Sequence, residues 1–167
     1  LDELNNLKQA LNSPIYFDAV YQNTLRISET NFVSVEQANF DVKATDNAID
    51  RFCIGSYIPI MEVSHFGSFP YAGFMWNSFL LEHYVFKYSS NYKLLHTGFN
   101  ANSCVGAIVK RNSDFEEYND ILTDVLANYD APLDREAALQ YLCEQGYLAK
   151  RRYRDIDQIL VKATAIR

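Results

Sequence analysis

Three histidines, three cysteines and 21 Asp or Glu side chains are the raw material for acid–base or metal chemistry in this 167-residue chain. His65 follows Glu62 by three residues in a segment rich in turn formers, His83 directly follows Glu82, and His96 stands apart. An acid–base pair needs groups within hydrogen-bond reach, and a zinc site needs ligands spaced by a helical turn or a tight knuckle. None of H-x-x-x-H, H-E-x-x-H or C-x-x-C occurs. The nucleophile elbow G-x-S-x-G is absent as well; Ser56 and Ser68 follow glycines outside any such frame. Asp41-Val-Lys43, with Glu29 or Glu36 upstream, fits the carboxylate pattern of metal-dependent nucleases, but so short a triplet arises by chance in most chains of this length. The reading is therefore of no catalytic residue, no bound metal and no cofactor.

Charge is a stronger signal than catalysis. Lys150-Arg151-Arg152-Tyr153-Arg154 is a cationic stretch with one interleaved ring. Residues 148–167 carry six Lys/Arg against two Asp, whereas residues 113–147 carry nine Asp/Glu against one Arg. A cationic turn entering a helix can hold phosphates while a tyrosine stacks on a base. A helix–turn–helix would make the last helix the reader. The spacing argues against it: with Gly146 as the turn glycine, Leu142 falls where a small residue is needed, and Arg152 and Asp155 fall on apolar positions. The plainer reading is a solvated basic turn that pairs with the acidic helices or docks on an acidic partner.

A second candidate surface is the run from His65 to Trp76, where Phe66, Phe69, Tyr71, Phe74 and Trp76 are interleaved with glycine and proline. Large rigid rings on a punctuated loop can form a recognition surface at low entropic cost. The same rings can instead plug the core beside the helix that follows.

These candidates must be positioned by ordinary globular structure. Hydrophobic residues make up 49% and charged residues 22%, far from a disordered composition, and the net charge of −6 argues against wholesale attraction to nucleic acid or an anionic membrane. Cys53, Cys104 and Cys143 lie far apart among apolar neighbours and read as free thiols of a reducing compartment, the cytoplasm. The chain opens on Leu1 and is read as a fragment of a larger intracellular protein. The expected partners are proteins, with nucleic acid as the alternative and no membrane.

The hydrophobic periodicity predicts a helix over 1–12 ended by Pro14, a second over 17–25, and one or two short strands within 31–43. Asp46 is read as the cap of a helix over 47–53. Residues 55–76 read as loop with short extended pieces. Asn77 caps a buried helix to about 89, and a hairpin follows with strands 92–97 and 104–110. Ser113 and Glu116 form a capping box for a helix broken by Pro132. Asp134 opens another that stops at Gly146, and the last spans about 153–165. The fold class is thus α+β: a small, mainly antiparallel sheet packed with helices, ending in a C-terminal three-helix segment. Residues 1–167 read as one domain, with 112–167 as its helical subdomain. The functional expectation is a non-catalytic interaction or structural module, with nucleic-acid binding through 150–154 and the last helix as the alternative.

Overall fold

The computed structural model describes residues 14–167, and the side chains of residues 19–167. The helix expected over 1–12 lies outside the described residues. The architecture is α+β. Helix α1 (Pro14–Asn23) runs into strand β1 (Thr24–Arg26), which pairs antiparallel with β2 (Phe32–Ser34). Helix α2 (Val42–Asp50), strand β3 (Tyr57–Pro59) and helix α3 (Ser78–Lys87) follow, then β4 (Tyr92–Leu95) and β5 (Ala107–Lys110). Helices α4 (Tyr118–Ala127), α5 (Arg135–Glu144) and α6 (Ile156–Ile166) close the described chain.

Strands β4 and β5 pair antiparallel as expected, but β5 is the centre of a three-stranded sheet with β3 on its other side. Pro59 ends an edge strand, where the missing N–H costs no ladder bond. Alternation along the strands divides the interior into two layers. Ala107 and Val109 face α4, α5 and α6, together with Tyr57 and Leu95. Ile108 faces the opposite way, toward α2 and α3, with Ile58, Tyr92 and Leu94. The sheet is therefore buried on both faces, which explains the unbroken apolar run of β5. Gly106, at its entry, lies so close to β4 that an added Cβ would stand 2.8 Å from His96 Cβ.

Two helix starts differ from the pattern in the sequence. Helix α2 begins at Val42, capped by Asp41 accepting from the Ala44 amide at 2.9 Å. Asp46 is buried in the middle of that helix and caps something else. Its carboxylate accepts from Tyr84 (2.8 Å), the Ser89 hydroxyl (2.7 Å) and the amides of Ser90 (3.1 Å) and Asn91 (2.9 Å), fixing the turn between α3 and β4. Likewise α4 starts at Tyr118, and its capping box is the reciprocal pair Glu117 and Asp120. Ser113 instead donates to Lys110 O at 2.6 Å, closing the turn after β5. The region 31–43 yields only β2, followed by one turn of 3-10 helix at Val35–Gln37.

The helix read over 17–25 starts instead at Pro14 and ends at Asn23, with Leu25 in β1, whereas the remaining cap and stop signals hold. Asn77 accepts from the amides of Phe79 and Leu80 at the start of α3, and Asp134 accepts from Ala137 at the start of α5. Gly146, at φ +79°, ends α5 in a Schellman turn: its own N–H goes to Cys143 O and that of Tyr147 goes to Leu142 O.

Candidate anion-docking groove

The C-terminal basic stretch forms the exposed turn between α5 and α6. Tyr147 and Leu148 are buried just before it and Ile156 just after it, so the turn is anchored at both ends. Between the anchors, the Arg152 amide donates to Lys150 O at 2.7 Å, folding the segment tightly. Asn119 of α4 reaches across: its Oδ1 accepts from the Tyr153 hydroxyl at 2.6 Å, and its Nδ2 donates to Asp155 Oδ2 at 3.1 Å. Arg154 pairs with Asp155 at 3.1 Å, and the bonds from Asn119 and Arg154 hold that carboxyl below its usual range. Lys150, Arg151 and Arg152 are exposed and form no ion pair among the described residues.

The turn borders a groove of about 500 Å³. Leu148, Lys150, Arg152 and Tyr153 line it from the turn, and Thr97 and Asn100 line it from the loop between β4 and β5. Of the charged side chains lining it, three are cations and one, Asp155, is a carboxylate already engaged. The surface therefore suits an anionic group, held by charge. The Tyr153 ring is half-buried and tied to Asn119, so it forms part of the wall.

The aromatic loop divides between the two uses open to it. Phe69 is buried against Phe52, Phe66 and Trp76, with ring centroids 6.4, 5.2 and 5.1 Å apart. Trp76 donates its indole N–H to Pro70 O at 2.6 Å. Phe66 and Trp76 are half-buried against the α2–α3 layer, and Phe74 is half-buried as well. Tyr71 and Met75 project from the loop at 80% and 86% exposure. The rings do not converge on one face.

Among the described residues, Glu62 shares no pocket with His65 or His83. His65 and Glu62 are exposed; Glu62 lines a cleft with Met61, Cys143 and Gly146 that neither His65 nor His83 enters. No group of three or more His, Cys, Asp or Glu is placed to hold a metal among the described residues. All three cysteines are free, Cys53 and Cys104 buried and Cys143 half-buried.

One constellation has no signature in the sequence. Arg26, Tyr21, Glu82 and His83 are fully buried together where β1 crosses α3. The Tyr21 hydroxyl donates to Glu82 Oε1 at 2.7 Å and accepts from Arg26 Nη1 at 2.8 Å. The Arg26 amide donates to His83 Nδ1 at 2.8 Å, so the proton sits on Nε2, which donates to Tyr21 O at 3.0 Å. Burial, helped by the Lys87 charge, lowers His83 to about 3 and keeps it neutral. Burial also pushes Glu82 up to about 7, against the opposing pull of the Tyr21 hydroxyl and the Arg26 charge. The only hint in the sequence is a Glu-His pair inside the wide apolar arc of α3.

The chain matches no protein-family model, no curated protein and no solved structure. Its function must be argued from its own geometry. No helix among the described residues is long and apolar enough to cross a membrane.

Proposed function

We propose that this chain is a non-catalytic interaction module, part of a larger intracellular protein, that receives an acidic segment of a partner protein in the groove beside residues 150–154. The observation that carries the reading is the set of exposed cations Lys150, Arg151 and Arg152, without an ion pair among the described residues and gathered on a molecule of net charge −6. Complementary charge in one cleft sets encounter rate, register and partner choice. The three free thiols support a reducing setting such as the cytoplasm.

Extent of charge separates a protein partner from nucleic acid. A phosphate backbone continues past the basic turn onto neighbouring surface, and the preceding residues 113–147 carry nine carboxylates. A short acidic peptide can end where the cations end.

The test is fluorescence anisotropy of a labelled polyglutamate peptide and of single- and double-stranded DNA, at low and moderate salt. Peptide binding that weakens with salt and disappears in a Lys150→Glu, Arg152→Glu double variant is the expected result. DNA binding stronger than peptide binding, and lost in the same variant, would replace the proposal with the nucleic-acid reading. Absence of any binding at low salt removes both.

A further inference from the structure

We infer that Arg26 is the positioning residue of the groove, holding its Thr97–Asn100 wall from the inside, and that Glu82 behind Tyr21 sets how firmly it holds. The inference rests on the groove being the site that binds.

Arg26 is fully buried, and its planar fork grips two loops at once. Nε donates to Ser28 O at 3.2 Å and Nη2 to Glu29 O at 2.7 Å, in the turn of the N-terminal hairpin. Nη1 donates to Asn100 O at 2.8 Å and Nη2 also to Ala101 O, in the loop that lines the groove. The guanidinium lies 4.1 Å from the centre of the Phe79 ring. Asn100 thus has its carbonyl fastened to a buried cation while the residue itself lines the same cleft as Lys150 and Arg152. The wall is further braced by Phe99, which stacks on Tyr21 with centroids 3.8 Å apart.

A guanidinium removed from water is held in place only when its charge is balanced. Glu82 adds to that balance through the Tyr21 hydroxyl when it is ionised and withdraws its share when protonated. Its second oxygen, Oε2, is buried without a hydrogen-bond partner among the described residues, so nothing there locks it in the ionised form. Both forms are populated near neutral pH. Other titratable groups among the described residues also face the cluster. His83 stays neutral above about 3, and burial raises the Tyr21 hydroxyl and the Cys104 thiol, keeping both protonated. Lys87, on the next turn of α3, donates outward to Gln22 O. His96 packs on Phe99 and is retained in every variant below.

The experiment follows the carbonyl carbon shifts of Asn100 and Ala101 by NMR between about pH 5.5 and pH 8.5, together with affinity for the polyglutamate peptide. In the wild type both carbonyls should titrate near neutrality, and affinity should fall roughly fivefold as pH drops across that range, the low end of coupling between two sites. Glu82→Gln, nearly isosteric and uncharged, should abolish both trends, and Tyr21→Phe should do the same by cutting the link. Arg26→Lys keeps the charge but not the fork, and should weaken the peptide at every pH. Carbonyls that ignore pH, or that titrate equally in Glu82→Gln, overturn the inference. Carbonyls that titrate in a protein binding no peptide remove the acidic-partner reading while leaving the attachment of the wall to Arg26 supported.

Discussion

At the scale of single residues, the two buried carboxylates Asp46 and Glu82 show how environment decides what an acid does. Asp46 accepts four hydrogen bonds, two of them from backbone amides, and these replace the water it has lost. Glu82 has one hydroxyl and a more distant guanidinium, and burial prevails. The consequence for stability has a definite sign. A folded-state value near 7, above the unfolded value of 4.5, means that folding favours the protonated form. Its contribution is complete below 4.5 and is lost as pH rises through about 7. Urea unfolding should therefore find the wild type less stable at pH 8 than at pH 5 by up to about 3 kcal/mol from this group, and Glu82→Gln should remove that part of the slope. An unchanged slope in the variant would show that the carboxyl is solvated in the folded protein. The ionised carboxylate is thus unfavourable to the fold as a whole while favourable to Arg26 locally, because the burial cost of Glu82 exceeds the attraction between the two.

At the scale of elements, boundaries turned on which of two similar local patterns found its partners. Ser113–Glu116 and Glu117–Asp120 both offer the spacing of a capping box, four residues apart in the chain. The second wins because Phe115 is needed outside the helix, where its ring meets Tyr57 edge-on at 5.2 Å, and because Ser113 closes the turn after β5. Glu117→Ala should cost about 1 kcal/mol in thermal or urea unfolding, the usual value of an N-cap, and fray the first turn of α4 in hydrogen exchange. Glu116→Ala, which removes only an exposed pair with Lys93, should cost well under 1 kcal/mol. The reverse order would restore the earlier start. Elements whose signals are local were legible in the sequence: the caps Asn77 and Asp134, the Gly146 stop, and the apolar face Ile156, Ile159 and Ala163 of α6. The third strand was not, since Tyr57–Pro59 is three residues long and exists through pairing with β5, far away in the chain. Nor was the groove: the basic turn is plain in the sequence, but the wall at Thr97 and Asn100 comes from a loop about 50 residues earlier, held there by a buried arginine. Long-range polar contacts leave no period to read.

At the scale of the whole molecule, β5 is the central strand of the sheet that both interior layers share, and this bears on whether the C-terminal helices are a separate unit. Val109 and Ile108 are neighbours in the chain and both fully buried, yet they serve opposite layers. If the sheet transmits stability between the layers, damage to either is felt in both. Trp76 is the single tryptophan and reports on the α2–α3 layer alone. Val109→Ala opens a small cavity against α4–α6 and should cost about 2 kcal/mol. In a cooperative molecule, the Trp76 fluorescence transition in urea moves by the full amount and coincides with loss of helical circular dichroism. Should the helical signal shift while the Trp76 transition stays in place, residues 112–167 would be a subdomain that unfolds by itself. The first outcome is the expected one, because a strand of four residues buried on both faces cannot lose one packing layer and keep its pairing to the other. The groove draws on both sides of this arrangement: its basic turn joins α5 to α6, and Asn100 is bonded through Arg26 to the N-terminal hairpin beside α3.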